Sequence, residues 1–519
     1  MSRRAIIAAT PAKATRTGTP CSPARQHPVN ARRGEYRPAA QDLCDFDAVA
    51  LRRMIAAGDA SPVAVLESCI ERIGATNPAV NAVVTTCFER ARLEAVAAER
   101  AVDRGGLAPL HGLPVLIKDL AETAGLRTTY GSRCFATYVP DEDAIIVERL
   151  RKAGAIIIGK TNTPEFGAGA NTTNLVFGAT RNPFNPALTS GGSSGGSAAA
   201  LSCGMAPLAT GSDLGGSLRI PASFCSIVGM RPSPGVVPSR SNVLAYSPLW
   251  TDGPMARTVP DLHLLLTVIA GHDPRDPLSM PGQDHLKPRL DPEDLSQLRA
   301  GFSTDLGVAA VDHRIAALFG NRRARLGGHF GSAHDLDIDL SEATGIFRVL
   351  RAESLHAAFS DLVAQKGKLV GDNIRVNLDE ANRYSLADVA RAGAGHTRLF
   401  RRFQRLFDDI DVLICPATAV TPFPVEENHP TDINGVPLDG YFAWCAITWA
   451  LSLTGCPVVT IPCGTDHVGM PFGIQIVTGR DQDHLALGIA LALETVMNTD
   501  GIGRVTPTRP GLEGSAGDR

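Results

Sequence analysis

Two features of the sequence could do chemistry together: a serine in a glycine-rich loop and a lysine at the end of an apolar strand. Ser217 follows Gly215 and Gly216, and successive backbone N–H groups in such a turn can converge on one oxygen, as an oxyanion hole requires. A serine hydroxyl is a weak nucleophile and needs a positioned base. Lys118 ends the apolar run 113–117, where burial would favour its neutral form. Each feature alone is more often structural, as a solvated strand-end charge or a simple turn.

The glycine- and serine-rich segment before Ser217 admits other interpretations. A phosphate-binding loop needs its own lysine, and no lysine lies between Lys160 and Lys287, which excludes that loop. The dinucleotide pattern G-x-G-x-x-G is also absent from the segment. Gly191 to Gly195 satisfies the G-x-S-x-G pattern of a nucleophile elbow, although proline-rich sequence precedes it where a strand is needed. Histidines follow later in the chain, so a Ser-His-Asp relay stays open at this point.

Longer motifs extend the pattern over most of the chain. They are HGLPVLIKD (111–119), GKTNTPEF (159–166), GGSSGGSAAAL (191–201), GSDLGGSLRIPASFCSIVGMRPSPG (211–235) and DGPMART (252–258), with a weaker TGCPVVTIPCG at 454–464. In these residues the chain closely resembles the amidase signature family, and the resemblance covers about residues 42–495.

The resemblance implies a Ser-Ser-Lys triad and hydrolysis of a carboxamide to a carboxylic acid plus ammonia or amine. The implied nucleophile, which forms the acyl-enzyme, is Ser217, the bridging serine is Ser193 and the base is Lys118; they are 24 and 75 residues apart in sequence. The family holds the oxyanion with backbone N–H groups, and the matching residues here are Leu214, Gly215, Gly216 and Ser217. The implied reaction needs no metal and no organic cofactor.

Other residues are expected to support the loop or to line the pocket. Asp213 and Arg219 flank the nucleophile, and we interpret them as a charge pair that pins the turn, with Arg219 binding a substrate carboxylate as the alternative. Ser194 is expected to hydrogen-bond the loop without doing chemistry. Thr172 and Thr173 are candidates for the pocket wall. The variable pocket region, about 300–440, adds candidates that sequence does not rank: Phe347, Phe359, Asn373, Tyr384, Phe442 and Trp444.

The elements that must position these residues are typical of an α/β protein. A helix at about 142–153, closed by Gly154, leads into an apolar strand at 155–158, which is a βαβ-type pattern. The resemblance implies a single large α/β/α domain, in which a mixed, mostly parallel sheet of about ten strands is covered by helices on both faces.

The domain is predicted to span 42–500, with its core at 111–258. Residues 44–104 read as helices, one of which begins at Ser61-Pro62, a cap followed by proline in the first turn. In relatives these outer helices often form a dimer contact, so a homodimer is a possible assembly here.

Charge and composition narrow the class of protein. The 519 residues carry 50 basic and 53 acidic side chains, which excludes a generally basic nucleic-acid binder. Residues 1–41 have eight basic residues and one acid, a net of +7 within a total of −3. We interpret them as a disordered leader, dispensable for catalysis, or as a start codon assigned too early, with a transit peptide as a minor alternative. Residues 501–519 are predicted to be a flexible tail.

The eleven cysteines are scattered and show no zinc-binding spacing. Most lie in apolar or small-residue runs, which favours reduced core thiols in a cytoplasmic protein and argues against a metal site.

One uncharged stretch is long enough to suggest a membrane span. Between Asp439 and Asp466 lie 26 uncharged residues, but glycine and two prolines interrupt the second half. A buried helix at about 441–453, a turn and a buried strand at 457–461 fit this pattern better, so no membrane partner is expected.

Three functional hypotheses follow. The first is a free-standing amidase acting on a small-molecule amide, without a nucleic-acid partner. The second is a partner-dependent subunit similar to the glutaminase subunit of tRNA-dependent amidotransferases; the stretch after the nucleophile looks more like free-standing members. The third is a binding or scaffold protein that has lost the chemistry, against which the intact triad argues. The amide itself, whether aryl, aliphatic, carbamate or amino-acid amide, stays open.

Overall fold

The computed structural model describes residues 42–102, 107–240, 243–280 and 286–507. The predicted leader, residues 1–41, and the last part of the predicted tail, residues 508–519, lie outside this described part. From Leu43 onward the described residues form one compact unit.

Fifteen strands are present in the described chain, eleven in one sheet and four in two short hairpins. In chain order they are β1 Val83–Thr86, β2 Pro114–Lys118, β3 Ile156–Thr161, β4 Thr173–Asn174, β5 Gly178–Ala179, β6 Leu208–Asp213, β7 Val228–Arg231, β8 Thr251–Ala256, β9 Arg299–Phe302, β10 Ser332–Asp335, β11 Val412–Pro416, β12 Asp432–Ile433, β13 Val436–Pro437, β14 Val458–Thr465 and β15 Pro471–Val477.

Fourteen α-helices accompany these strands in the same described residues. They are α1 Ala48–Ala57, α2 Pro62–Val80, α3 Phe88–Ala101, α4 Ile145–Lys152, α5 Gly195–Ser202, α6 Arg219–Phe224, α7 Val259–Ile269, α8 His313–Leu326, α9 Ala343–Lys366, α10 Asp372–Ala381, α11 Leu386–Gln404, α12 Leu406–Asp409, α13 Ala446–Ser452 and α14 Asp483–Thr499.

The large sheet has the strand order β1-β3-β2-β6-β8-β7-β14-β15-β11-β9-β10. Parallel pairing occurs in the blocks β3-β2-β6 and β11-β9-β10, and the other neighbours are antiparallel. The predicted mixed sheet is confirmed, with eleven strands where about ten were expected. Because β2 and β6 are parallel neighbours, their carboxyl ends lie at the same edge of the sheet. Lys118 and Asp213 are the last residues of these two strands.

Both faces of the sheet are covered, as predicted for an α/β/α fold. Along β2, Val115 and Ile117 belong to one hydrophobic cluster with α1, α4, α7 and α14, whereas Leu116 packs into another with α2, α3 and α5. Successive side chains of a strand point to opposite faces, so these clusters are the two sides of one sheet. Near-continuous apolar strands are typical of a sheet buried in this way.

The predicted N-terminal helical region contains one strand in addition to its helices. Ser61 caps α2 and its hydroxyl accepts a hydrogen bond from the backbone N–H of Ala64 at 3.1 Å, with Pro62 in the first turn. Between α2 and α3, however, Val83–Thr86 forms β1, which pairs antiparallel with β3 at the sheet edge. All four of its residues are β-branched, which favours a strand over a continued helix.

The uncharged stretch 440–465 is a short helix followed by a strand. α13 and β14 are buried, and the helix begins later than expected because a 3₁₀ turn, Ala443–Cys445, precedes it. In the described part of the chain we find no helix that is both long and apolar enough to cross a membrane.

The folded part extends past the predicted boundary at residue 500. Ile502 is buried in the main core cluster, and the N–H of Val505 donates to the hydroxyl of Ser226 at 2.9 Å. Residues 501–507 are therefore packed, whereas a flexible tail was predicted there. The reason is that Ile502, an apolar residue in this polar and glycine-rich segment, is buried in the core.

Candidate active site

The lysine at the end of β2 lies among serine hydroxyls. Lys118 Nζ is 2.8 Å from Ser193 Oγ, 2.8 Å from Ser194 Oγ and 2.9 Å from Ser212 Oγ. An ammonium group has three N–H donors, and the three hydroxyls match them in number; the carbonyl of Ser212 is a fourth, more distant acceptor at 3.4 Å. A neutral amine has only two N–H groups and one lone pair, so one of the same hydroxyls would then donate to the nitrogen.

The environment of Lys118 favours the neutral amine. The side chain is buried, and burial lowers its pKa to about 7, against the opposing influence of Asp252 and Asp213. A low-dielectric site disfavours the charged form of a lysine. Near neutral pH the group therefore exchanges readily between donor-only ammonium and a proton-accepting amine.

The loop that carries Ser193 is shaped by glycines in tight contact with their neighbours. A Cβ on Gly195 would lie 2.4 Å from Thr172 Oγ1, and one on Gly196 would lie 2.3 Å from the backbone nitrogen of Asn162. Only glycine fits at these positions. The peptide bond between Gly192 and Ser193 is cis, and α5 begins directly after Ser194.

The loop that carries Ser217 connects β6 to α6 beside the first loop. The backbone N–H of Ser194 donates to the carbonyl of Ser217 at 3.3 Å, which joins the two loops. Gly216 has a φ of 130°, and a Cβ there would lie 2.3 Å from Thr448 Oγ1. That threonine hydroxyl also bonds to the carbonyl of Gly215 at 2.8 Å, so α13 holds the turn that precedes the half-buried Ser217.

Asp213 anchors the same turn through charge. Its carboxylate accepts from Arg219 Nε and Nη2, both at 3.0 Å, and from Arg231 Nη1 at 3.3 Å. Burial alone would raise the pKa of Asp213, but the two guanidinium groups reverse this and hold the pKa well below its ordinary value. A buried carboxylate with two charged donors stays ionised.

Arg219 has no donor left for a substrate. Beyond its two bonds to Asp213, its guanidinium donates to the carbonyl of Thr448, to Gln475 Oε1 and to Ser452 Oγ at 2.7–3.0 Å. These contacts account for all five N–H groups. Arg219 therefore supports the loop. The alternative, that Arg219 binds a substrate carboxylate, is not supported, because no N–H group of its guanidinium is free.

One of the four predicted oxyanion donors is otherwise engaged. The N–H of Gly216 donates to Asp213 Oδ1 at 2.8 Å, and the next N–H but one, of Leu218, donates to the other carboxylate oxygen at 3.0 Å. This corrects the prediction for Gly216, whose N–H belongs to the Asp213 anchor. Leu214, Gly215 and Ser217 stay as predicted donors.

Two further predictions differ from the structure. Thr172 is buried, and its hydroxyl donates to the carbonyl of Gly191 at 2.8 Å and accepts from the N–H of Gly195 at 3.1 Å. Thr172 therefore supports the serine loop and does not line a pocket. Thr173 is exposed in the hairpin strand β4. Ser194 bonds the loop as expected, but its hydroxyl also contacts Lys118 directly.

Sequence reasoning missed Ser212. It lies on the same face of β6 as Thr210, whose hydroxyl accepts from the N–H of Lys118 at 3.1 Å. The sequence does show two hydroxyl residues two positions apart in a strand, which places both side chains on one face. That this face meets Lys118 follows only from the pairing of β6 with β2, which sequence alone does not give.

The nucleophile-elbow alternative is not formed. Residues 182–192 make turns and isolated bridges where that motif needs a strand, and the hydroxyl of Ser193 meets a lysine. The described residues also contain no cluster of His, Cys, Asp and Glu able to hold a metal ion.

Comparison with known proteins assigns the family. The family model named Amidase matches residues 64–487. The chain belongs to the amidase family. It is 34% identical over 467 residues to an acylamidase from Rhodococcus erythropolis, covering 88% of this chain and 96% of that protein. It is also 34% identical over 477 residues to the A-type subunit of a glutamyl-tRNA(Gln) amidotransferase from Chloroflexus aurantiacus, covering 86% and 95%.

Among solved structures, a bacterial aryl acylamidase of the amidase signature family superimposes with a TM-score of 0.80 at 28% identity, covering 89% of this chain and 99% of that one. As an amidase the chain is a hydrolase of amide C–N bonds.

An aromatic wall of this amidase adjoins the nucleophile loop. A Cβ on Gly215 would lie 3.1 Å from Phe347 and 3.2 Å from Trp449, and these two rings stack with centroids 4.8 Å apart. Phe442 packs edge-on against Phe347 at 5.9 Å. Of the other unranked candidates, Trp444 is core, stacked on Phe224 at 6.2 Å.

The other three pocket candidates lie further from the nucleophile loop or next to the serine loop. Phe359 packs on Phe166 at 4.5 Å, and Tyr384 bonds to Glu380 at 3.1 Å. Asn373 Nδ2 donates to the carbonyl of Ala168 at 3.2 Å, next to the serine loop. Tertiary packing thus separates candidates that sequence left equal.

Proposed function

We propose that this chain is a free-standing amidase that hydrolyses a small or mid-sized carboxamide through an acyl-enzyme on Ser217. The observation that carries the proposal is the contact of buried Lys118 with Ser193 at 2.8 Å, together with a lysine pKa near 7. A base with a pKa near the working pH transfers protons most effectively.

In the proposed mechanism, neutral Lys118 takes the proton of Ser193 while Ser193 takes the proton of Ser217. The oxygen of Ser217 attacks the amide carbonyl carbon, and the carbonyl π electrons move to the oxygen. Backbone N–H groups of Leu214, Gly215 and Ser217 hold this oxyanion; removal of one such donor typically costs about 10²–10³ in kcat.

Collapse of the tetrahedral intermediate breaks the C–N bond. The proton held by Lys118 returns through Ser193 to the leaving nitrogen, so ammonia or an amine departs and the acyl group stays on Ser217. Water then enters the vacated position, and its oxygen attacks the acyl carbon while the same relay takes its proton. The ester C–O bond breaks, the relay returns the proton to the oxygen of Ser217, and the carboxylic acid leaves. Every proton that leaves a nucleophile is returned to a leaving group, so the relay is restored after each cycle.

A second candidate is a glutaminase-type subunit. The similarity to the amidotransferase protein of Chloroflexus aurantiacus favours it, whereas the stretch from Met230 to Thr258 looks more like free-standing members, as does the late stretch 437–455. A protein of this kind would release ammonia only in the presence of its partner. A homodimer through the outer helices and a cytoplasmic location are part of the leading proposal.

Reduced thiols support the cytoplasmic location. Free thiols in the described part of the chain, most of them buried, include Cys87, Cys134, Cys225, Cys415, Cys445, Cys456 and Cys463. Such side chains are typical of a reducing compartment.

The proposal is tested with the purified full chain and a panel of aryl, aliphatic and amino-acid amides. We expect release of ammonia or amine by the protein alone, and loss of that release in Ser217→Ala. Activity of Ser217→Ala equal to that of the wild type would refute the assignment. Activity that appears only with a companion protein would favour the second candidate.

A further inference from the structure

A buried arginine lies behind the aromatic wall without a carboxylate partner. Arg351, on α9, is only 7% exposed. Its Nη1 donates to Asn377 Oδ1 at 2.5 Å, and this is its one hydrogen bond to the described residues. Four of its five N–H groups therefore have no acceptor in the described protein, and no described carboxylate forms an ion pair with it.

Other arginines near the site are neutralised. Arg219 and Arg231 bond to Asp213. Arg348, one turn before Arg351 on the same helix, pairs with Asp439 at 2.7 Å and with Glu380 at 3.4 Å. Glu380 is thus paired with a neighbouring guanidinium, and its charge also raises the pKa of Arg351 against the lowering by burial.

Unpaired donors on a charged group in a largely buried place are unfavourable, and such a group calls for an explanation, such as a bound water or a ligand. The unpaired nitrogens of Arg351 are not among the fully enclosed side-chain atoms without a partner in the described residues, so a molecule from outside can reach them. Burial lowers the pKa of Arg351 to about 10, so the group is still charged near neutral pH. Its free donors therefore suit an anionic partner from outside the described chain.

The contacts connect Arg351 to the catalytic loops from the nucleophile side. Its guanidinium lies over the ring of Phe442 at 5.2 Å, and Phe442 contacts Phe347 at 5.9 Å. Phe347 in turn reaches the backbone of Gly215, two residues before Ser217. The side chains that lie between the nucleophile loop and the guanidinium are therefore aromatic.

A second series of contacts connects Ser193 to Arg351. A Cβ on Gly167 would lie 3.4 Å from Ser193 Oγ. The adjoining carbonyl, of Ala168, accepts from Asn373 at 3.2 Å. The carbonyl of Asn373 accepts from Asn377 at 2.5 Å, the residue that holds Arg351. Both loops of the site thus lead to the same guanidinium.

We propose that the substrate of this amidase carries a carboxylate bound by Arg351, joined to the scissile amide by an apolar segment that lies along Phe347 and Phe442. This inference rests on the proposed function and adds the substrate class. Guanidinium groups bind carboxylates in a bidentate geometry, and the free donors of Arg351 provide it. Asn377 and the ring of Tyr441, 5.0 Å from the guanidinium, orient the group.

The test measures binding, so that it does not depend on turnover. Ser217→Ala protein is titrated by calorimetry with succinamate, glutaramate, adipamate and 4-carbamoylbenzoate, each as the free acid and as its methyl ester. The ester keeps the size of the ligand and removes its charge. We expect at least one acid to bind at least tenfold more tightly than its ester. Equal binding of acid and ester at every length would overturn the inference.

Two further variants, built on Ser217→Ala, locate the preference. Arg351→Gln is expected to reduce the acid-to-ester ratio to about one, whereas Arg391→Gln, the control at an exposed arginine of α11 that pairs with Asp388, keeps the ratio. Asn377→Asp places a carboxylate of nearly the same shape beside Arg351 and is expected to lower the ratio even where Arg351→Gln does not fold. A ratio that survives both Arg351→Gln and Asn377→Asp would overturn the inference.

The two proposals fail separately. Turnover by the wild type with equal binding of acids and esters would retain the amidase and remove the carboxylate site. A binding preference that depends on Arg351, in a protein without hydrolytic activity, would retain the carboxylate site and remove the amidase proposal.

Discussion

Lys118 Nζ and Ser193 Oγ are 2.8 Å apart although the two residues are separated by 75 positions in the sequence. The end of β2 supplies the lysine and a glycine loop before α5 supplies the serine. The backbone N–H of Ser194 donates to the carbonyl of Ser217, which brings Ser217, the third residue of the predicted triad, to the same edge of the sheet. The proposed relay depends on this arrangement.

Replacement of the base tests whether Lys118 moves a proton. Lys118→Met should lower kcat by about 10²–10⁴, the usual contribution of a positioned acid–base group. Lys118→Arg keeps the positive charge but cannot supply a neutral amine, so it should lose activity to a similar extent. Initial rates on one amide, with thermal melting to verify folding, measure both variants. Near-wild-type rates in Lys118→Arg would mean that charge alone is needed.

The pH dependence of activity should report the same lysine. Since only the neutral amine accepts a proton, kcat/KM should rise with pH through a midpoint near 7 and then level off. The Asp252 carboxylate, whose own pKa burial raises to about 6, is charged at pH 7 and raises the pKa of Lys118. Asp252→Asn should therefore move the midpoint to lower pH, while the surface control Asp335→Asn leaves it in place. A midpoint that moves upward in Asp252→Asn would contradict this assignment.

The nucleophile turn should not tolerate a methyl group. Gly216→Ala would place its Cβ 2.3 Å from Thr448 Oγ1 at a φ of 130°, so the loop must shift. A displacement of about 1 Å at a reacting centre can cost about 10²-fold in rate, and we expect a loss of that size or more in kcat. Gly393→Ala, on α11 with nothing within 4 Å of the added Cβ, is the control and should keep wild-type rates. Comparable rates in both variants would show that the turn is not fixed by this contact.

The buried carboxylate should matter more for stability than a surface one. Asp213→Ala leaves Arg219, Arg231 and two backbone N–H groups without their acceptor, and loss of one partner of a buried ion pair typically costs about 3–5 kcal/mol. Asp335→Ala breaks an exposed pair with Arg323 and should change the free energy of unfolding by no more than about 1 kcal/mol. Chemical denaturation measures both. A smaller loss in Asp213→Ala than in the control would refute the anchoring role.

Sequence alone predicted the parts of the site that depend on local pattern. The apolar run before Lys118 indicated a buried strand end, and the glycines around Ser193 and Ser217 indicated tight loops. These features are encoded by residues next to each other in the chain. The βαβ-type pattern likewise indicated an α/β protein, whereas the sheet of about ten strands and the triad roles were implied by the resemblance to the amidase signature family.

Contacts between distant segments were not predictable in this way. The role of Ser212 depends on which strand pairs with β2. Thr172 was predicted to line a pocket, but tertiary packing buries it beneath the serine loop, and sequence alone does not give that packing. Arg351 gave no signal at all, since an arginine on an amphipathic helix is ordinarily solvated. Its lack of a directly paired carboxylate among the described residues is evident only when α9, α10 and the segment around Tyr441 are packed together.

Mass spectrometry of the protein after reaction with a fluorophosphonate, which traps an activated serine nucleophile, measures most directly whether Ser217 is the nucleophile. We predict one adduct, on the peptide that contains Ser217, which is absent in Ser217→Ala and forms much more slowly in Lys118→Met. An adduct on a different residue, or equal labelling of wild type and Lys118→Met, would contradict it.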